Sequence, residues 1–298
     1  MTFLLDIVTA RLFVSVAEEA SIARAARREC IAASAISKRV SELEQRFGLV
    51  LLRRHASGVE VTAAGAALLR RARNLLQEAE QLEAELQALS SGIQGHVRVA
   101  ATETTAVNYM PGILGGFLHA NPGIDVDLQE RDHADVSRAV QEQAADIGIL
   151  PDDVVPEALW SRPCFRDQLV AVMRKDHPLA SYPSVTMAEI LDHDVVGQDG
   201  RASLRNLLLR QATALGRSIR IRVTTDGYDA VCRLAQEGLG IGIVAESSFR
   251  LFATEMNLVS LPVLDSWARR QHRVCVRKPE LLSPAARLLL DRLIPRQG

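Results

Sequence analysis

Between Thr62 and Ser90 the residues Leu68, Ala72, Leu75, Ala79, Leu82, Leu86 and Leu89 recur at strictly alternating intervals of four and three. That repeat keeps a narrow apolar stripe on one side of a helix, and at about 1.5 Å per residue a helix of this length runs for about 40 Å. A rod of that length divides the chain, so the residues before it fold as a small head and those after it as a separate body. The 4-3 spacing is that of a coiled-coil seam. Leu68, Leu75, Leu82, Leu86 and Leu89 are therefore expected to pair with the same stripe of a second subunit, with packing of the helix on its own domain as the alternative.

In the head, residues 3 to 20 place Phe3, Leu4, Ile7, Leu12, Phe13, Val16 and Ala17 at helical spacing and predict a supporting helix. Ser21 is an N-cap candidate for a short helix carrying Ile22, Ala25 and Ala26. A second helix is expected from about Ala33, with Ile36, Val40, Leu43 and Phe47 along one face and Gly48 at its end. Its other face carries Ser34, Ser37, Lys38 and Ser41, with Arg39 beside them. Two short helices joined by a tight turn, the second showing hydroxyls and cations, form a helix-turn-helix. Small hydroxyls allow close approach to base edges and the cations attract phosphates, which makes Ser34, Ser37, Lys38 and Arg39 candidate contacts to double-stranded DNA. A merely solvated face is the other reading of the same residues. Arg53, Arg54 and His55, then Ala56-Ser57-Gly58 and the alternation Val59-Glu60-Val61, predict a small hairpin wing beside that helix.

Taken together, Ala35-Ile36-Ser-Lys-Arg-Val40-x-x-Leu-Glu44, the Phe47-Gly48 ending, Leu51-Leu-x-Arg54 and Gly58-Val-x-Val-Thr-x-Ala-Gly65 resemble the N-terminal domain of the LysR-type transcriptional regulators. The resemblance adds Arg54 to the DNA-binding residues, implies dimerisation through the linker helix, and suggests a tetramer assembled through linkers and effector domains. Two subunits then read a pseudo-palindromic operator. This chain departs from the family pattern at Ala32 and Ala33, where Ser and Gln are frequent, and at Leu52, where Phe is frequent.

Charge distribution agrees with a DNA-binding head. Through Arg73 there are 12 Lys and Arg against 7 Asp and Glu, and in the remainder 23 against 29, although the whole chain nets only −1. With 298 residues, 48% hydrophobic and 24% charged, the chain has material for two or three cores. No apolar run reaches the roughly 18 residues of a membrane span, and Asp6 with no basic prefix argues against a secretory signal, so a cytoplasmic protein is expected. Cys30, Cys164, Cys232 and Cys275 are far apart, with no Cys-x-x-Cys pair; ordinary buried thiols are expected, with no metal site and no cofactor.

After the Gly/Ser-rich break Ser90-Ser-Gly-Ile-Gln-Gly95 the pattern changes. Strands are expected over 96–101, 124–128 and 146–150, with helices over 111–121 and 134–143 between them. The same β-α-β-α-β order returns with a strand ending at Val196, helices over 204–215 and 228–237, and strands over 219–223 and 240–244. Strands at 168–173 and 272–276 are the expected crossings between the repeats, and 283–293 a closing amphipathic helix. Two such lobes resemble the type 2 periplasmic-binding-protein fold, which LysR-type effector domains use. The expected fold class is α/β: an all-α-rich N-terminal winged helix-turn-helix (1–62), a long linker helix (63–91) and a two-lobed effector-binding domain (92–298). Lobe 1 takes about 92–163 and 269–298, and lobe 2 about 164–268.

Ligands of open α/β lobes lie at strand carboxyl ends, near helix N-termini. That rule draws attention to Thr102, Glu103, Thr104 and Thr105 after the first strand, His133 at the edge of the same lobe, and Gln198, Asp199, Ser203, Thr224, Thr225 and Asp226 in the second lobe. The resemblance raises Thr102 and Thr104 above the rest. The effector-binding candidates are thus Thr102, Thr104, His133, Gln198 and Thr225, suited to a small polar metabolite that is expected to be anionic; plain helix N-caps are the competing reading of the Thr and Asp residues. Gly238-Leu-Gly240 follows a helix and leads into a strand, the reverse of a phosphate loop. An enzyme is disfavoured because the chain lacks Gly-x-Ser-x-Gly, His-Glu-x-x-His and a phosphate loop. A small-molecule-binding protein without DNA function remains the other alternative, and it leaves the basic head and the seam unexplained.

Overall fold

The computed structural model describes residues 5–55, 58–91, 93–198, 203–252 and 256–295. Phe3, Leu4, Ala56, Ser57, Gly92 and Asp199 lie outside the described residues, as do the side chains of Leu89, Ser90 and Ser203. The chain up to Gly95 forms one compact unit, and almost all of the remainder a second.

The first unit opens with α1 (Ile7–Glu19), capped by Asp6, whose carboxylate accepts the Thr9 amide at 2.6 Å. Leu12, Phe13 and Val16 are buried as their spacing requires, but Ile7 is 51% exposed. At 100° per residue Ile7 lies roughly opposite the centre of that face, which corrects its expected place in the core. Ser21 caps α2 (Ile22–Arg28) by accepting the Arg24 amide, and Ala25 and Ala26 are buried. In α3 (Ala33–Phe47) Ile36, Val40 and Leu43 are buried, whereas Phe47 is 57% exposed because the helix outlasts the core by one turn. Ala32 makes no side-chain cap bond, so the departure from the family pattern there costs α3 its hydroxyl cap.

The wing is an antiparallel hairpin of β1 (Leu52–His55) and β2 (Gly58–Val61), pairing Leu52 with Val61. One Glu44 oxygen accepts the amides of Leu51 and Leu52 at 2.8 and 3.1 Å, and the Val59 amide donates to the Ala20 carbonyl at 2.9 Å. The wing is thereby pinned to α3 and to the turn before α2. Thr62 starts α4 (Ala63–Ser91): its hydroxyl accepts the Gly65 amide and donates to the Val50 carbonyl. Along α4, Leu68 packs on the head core and Ala72 is fully buried against Ala10 and Val14 of α1. From there the stripe turns outward, Leu75 being 37% exposed and Leu82 and Leu86 each 59%.

In the second unit, β3 (Gly95–Ala101) is followed at once by helix rather than by loop. The Thr102 carbonyl accepts the Thr105 and Ala106 amides, a π-helical turn covers Thr105–Tyr109, and α5 (Met110–Ala120) continues it. The helix expected from Pro111 therefore begins near Glu103, and Pro111 falls where the π-helical turn gives way to α5. Then come β4 (Ile124–Glu130), α6 (His133–Gln141), β5 (Ile147–Pro151) and the 15-residue β6 (Trp160–Arg174). The second repeat has α7 (Met187–Ile190), β7 (Val195–Gln198), α8 (Ser203–Ala214), β8 (Ile221–Thr225), α9 (Tyr228–Gln236) and β9 (Ile241–Ala245). The chain ends in α10 (Glu246–Phe252), β10 (Leu258–Pro262), β11 (Arg269–Val276) and α11 (Pro284–Leu293).

Strand order is β4-β3-β5-β11-β6-β9-β7-β8, with β10 joined to β6. The first half of β6 pairs with β11, Gln168 opposite Arg269, while the second half pairs with β9 and β10. Each lobe therefore repeats one plan: its first strand lies between its second and third, beside the third runs an antiparallel crossing strand (β11 or the end of β6), and a fifth strand closes the edge. The long β6 belongs to both lobes. Gly238 and Gly240 lie between α9 and β9, as a helix-to-strand turn requires.

Gly65 marks where α4 leaves the wing: a Cβ there would stand 2.1 Å from the Leu51 carbonyl oxygen and 2.8 Å from Val61 Cγ1, whereas one at Gly112 in α5 meets nothing within 4 Å. Urea unfolding should show Gly65→Ala destabilised by about 1–3 kcal/mol and Gly112→Ala unchanged or stabilised by about 0.5–1 kcal/mol. Equal midpoints for the two variants would contradict the close approach of α4 to the wing.

Candidate functional site: a polar helix face and an inter-lobe cleft

On α3, burial of Ile36, Val40 and Leu43 turns Ser34 and Lys38 to the exposed side, with Ser37 and Ser41 half-buried. Lys38 makes a 4.0 Å contact with Glu42, and its side chain is 79% exposed. Arg39 is engaged differently: its guanidinium donates to the Thr9 hydroxyl at 2.9 Å and to Asp6 at 3.3 Å, fastening α3 to the start of α1. On the wing Arg53 and Arg54 are exposed, and His55 contacts Glu60 at 3.3 Å. Thus Ser34, Ser37, Lys38 and Arg54 present polar groups outward, while Arg39 holds the head together.

The second site lies between the lobes of the second unit. A cavity of about 340 Å³ is lined by Thr102, Glu103, Thr104, Glu130, Arg131, Asp132, His133, Asp135, Gln198, Leu204, Tyr228 and Arg270. An adjoining cavity of about 280 Å³ shares His133, Leu204 and Arg270 and adds Arg210. Four of the five expected effector contacts, Thr102, Thr104, His133 and Gln198, converge on the first cavity. Thr225 does not line it; it stands one strand over from Gln198, its hydroxyl 3.4 Å from the Asp226 carbonyl. Strand register explains the difference, since Thr225 is paired beside Gln198 on the side away from β9.

Several bonds cross the cleft. The Thr104 hydroxyl lies 3.0 Å from the Tyr228 hydroxyl, and Glu103 accepts the Tyr228 amide at 3.0 Å and the Gln198 amide group at 3.3 Å. Gly227, at φ +77°, precedes that amide, and a Cβ there would meet Asp229 at 2.7 Å, so glycine is needed to start α9 in this position. Thr102 is 9% exposed with its hydroxyl 3.3 Å from that of Thr105. In the π-helical turn before α5, Asn108 donates to the hydroxyls of Ser247 and Ser248.

The cleft floor is made by the crossing strands. Asp167 of β6 and Arg270 of β11 form an ion pair with side chains only 1% and 9% exposed. Among the described residues, Arg270 Nε is buried without a hydrogen-bond partner. Burial, then Arg270 and Arg210, push the His133 imidazole down to about 4, so it is neutral near pH 7. Glu103, Tyr228, Asp167 and Arg270 are not among the five effector-binding candidates of the sequence. Glu103 stands between two candidate threonines and Tyr228 at a helix start, but Asp167 and Arg270 sit mid-strand, where no local signal marks them. Burial also raises the Cys164 and Cys275 thiols to about 12 and Cys232 to about 11, while Cys30 is exposed, contrary to the expectation of four buried thiols. Among the described residues no group of three or more His, Cys, Asp or Glu is arranged for a metal ion, and no helix is long and apolar enough to cross a membrane.

Burial pushes the Glu103 carboxyl above its ordinary 4.5, outweighing the bond from the Tyr228 amide. A raised folded-state pKa means that ionised Glu103 costs stability above that pKa, a cost that disappears as pH falls below 4.5. Glu103→Gln should therefore melt higher than the parent near neutral pH, and the two curves should converge in acid. A gap that widens on acidification would show that the carboxylate is held by favourable partners instead.

Comparison with known proteins identifies both units of the chain. Residues 8–66 match the family model of the bacterial regulatory helix-turn-helix protein, lysR family, and residues 90–297 that of the LysR substrate binding domain. The RuBisCO operon transcriptional regulator of Allochromatium vinosum is 28% identical over 281 residues, 93% of this chain and 91% of that protein. Among solved structures, a full-length OxyR variant from Pseudomonas aeruginosa superimposes with TM-score 0.78 at 18% identity, covering 97% of this chain and 94% of that one. Full-length CbnR complexed with its target DNA gives 0.65 at 21% identity, covering 97% and 99%. These families are regulators and not enzymes. The chain belongs to the LysR family and is a DNA-binding transcriptional regulator with an effector-binding domain.

Proposed function

We propose that this regulator works in the cytoplasm as a homo-oligomer, a dimer or a tetramer built from dimers, on a pseudo-palindromic operator, and responds to a small polar metabolite carrying an anionic group. The observation that carries the DNA half is the division of α3 into a buried Ile36-Val40-Leu43 face and an outward Ser34-Lys38 face beside an arginine-bearing wing. Ser34, Ser37 and Lys38 take the major groove and Arg54 the adjoining phosphates; Arg39 acts by holding α3 on α1. CbnR, a relative in fold, is solved in complex with its target DNA, in line with a DNA-binding role for the head.

For assembly, Leu75, Leu82 and Leu86 are the part of the α4 stripe left open by the head, and a partner's α4 is the surface that fits it. Leu68 contributes by fixing α4 to its own head, and Leu89 extends the stripe in sequence. The effector lies in the cleft, contacting Thr102, Thr104, His133 and Gln198, with Arg270 as receptor of its anionic group; Thr225 supports Gln198 from the neighbouring strand. A cavity of about 340 Å³ falls at the small end of the roughly 300–1,000 Å³ usual for ligand sites, which favours a small metabolite. Ligand contacts to both lobes shift the bend at the crossings near Gln168 and Arg269 and so alter promoter binding; a bias of a few kcal/mol suffices.

In a gel-shift titration on the DNA upstream of its own gene, Lys38→Ala should weaken binding and flatten the salt dependence without changing the melting temperature. Arg39→Ala should lower both affinity and melting temperature. Undiminished affinity in Lys38→Ala would remove that face from the interface. Replacing Leu82 and Leu86 with Asp puts charges into the proposed seam, at about several kcal/mol, and light scattering should then report smaller particles. Retention of the parent mass would mean that subunits join elsewhere.

A further inference from the structure

We propose that the effector is a small dipolar molecule of the amino acid type, its ammonium group received by Glu103 and its carboxylate by Arg270. This rests on the reading of the inter-lobe cleft as the effector site, and narrows it. Glu103 is a largely buried carboxylate with no cation: among the described residues its hydrogen-bond partners are the Tyr228 amide and the Gln198 side chain. An ionised carboxylate offers about four lone-pair positions, so two such bonds leave acceptor capacity facing the cavity. Burial raises the cost of that charge, and Glu130 and Asp229 add to it. Asp167, more deeply buried, has Arg270 against it; among the described residues no ion pair offsets Glu103.

Elsewhere the cavity lining offers cations, Arg131 and Arg270. Arg270, 9% exposed, gives one arm to Asp167 while its Nε is buried without an acceptor among the described residues, and with Arg210 it adds to the burial that keeps His133 from being protonated. Asp132 and Asp135 also line the cavity, and Arg131 stands next to Glu130. A ligand with only a carboxylate engages Arg270 and leaves Glu103 uncompensated; one with only an amine does the reverse. A molecule with both groups satisfies both ends, and within about 340 Å³ an amino acid or a close derivative fits.

The test is a thermal-shift and calorimetric comparison on the full-length protein near neutral pH. The probes are the protein amino acids, ornithine and diaminopimelate, each beside its 2-oxo acid and its decarboxylated amine, at up to about 10 mM, where ligand binding raises stability by mass action. One amino acid should raise the melting temperature while its 2-oxo acid and amine do not. Glu103→Gln should keep the melting temperature of the ligand-free parent or exceed it, and bind that amino acid roughly tenfold or more weakly, as expected for loss of a charge-assisted contact. Glu103→Asp, which keeps the charge, should retain part of the affinity. The proposal is overturned if no amino acid shifts the parent, if the 2-oxo acid binds as tightly as the amino acid, or if Glu103→Gln binds unchanged. In the last case Thr102→Val separates the two readings: weakened binding leaves the cleft as the site of a ligand of other charge, and unchanged binding in both variants places the ligand outside the cleft altogether.

Discussion

The ion pair between Asp167 and Arg270 stands where the chain passes from one lobe to the other, and the geometry of the cleft depends on it. Both side chains are nearly excluded from water, so their attraction has to offset two desolvation penalties, and removing one partner alone strands a buried charge at about 3–5 kcal/mol. Beside the pair, aromatic rings stack along the crossing. Phe165 lies between Tyr109 and His272, with ring centroids 3.5 and 4.3 Å away, and His272 is pushed down to about 2 by burial, Arg270 and His133. The Asp167 carboxyl, raised by burial and lowered again by Arg270, follows the fate of the pair. A ligand group that draws on Arg270 therefore acts on the joint between the lobes as well as on the pocket wall.

Much of this architecture is legible in the sequence, for reasons that can be named. Ile36, Val40 and Leu43, the Ser21 cap and the duplicated β-α-β-α-β order are local or periodic, and each appears where its pattern places it. Ile7 and Phe47 fail differently: the first lies on the wrong side of its helix, the second beyond the end of the core. The helix after β3 starts earlier than expected because its cap is the Thr102 carbonyl, a backbone group with no sequence signature. Sequence pattern does not reveal α10 or β10; they are short, and β10 is a strand only by virtue of pairing with β6. The cleft is half legible. Thr102, Thr104, His133 and Gln198 follow from the rule that ligands sit at strand ends, whereas Asp167 and Arg270 meet across 103 residues of sequence through strand register alone.

The linker helix shows how one periodic pattern serves two tasks. Leu68 and Ala72 belong to the same 4-3 stripe as Leu82 and Leu86, yet the first pair is covered by the core of its own head and the second is exposed. Spacing fixes which side of a helix is apolar; what covers that side changes along its length with the reach of α1. The head is thus fastened to the rod by the same residues that begin the seam.

The shared strand β6 bears on the order in which the chain can fold during synthesis. Everything the second lobe needs, from the end of β6 at Leu169 through β10 at Pro262, is contiguous in sequence, while the first lobe waits for β11, which fills the position between β5 and the start of β6. Emerging from the ribosome, the second lobe can close on itself while β5 still presents an unpaired edge, exposed until roughly the last tenth of the chain arrives. Loss of the C-terminal segment from Arg269 onward would leave that edge open permanently, so a late truncation should produce an aggregating chain in which the second lobe is already folded.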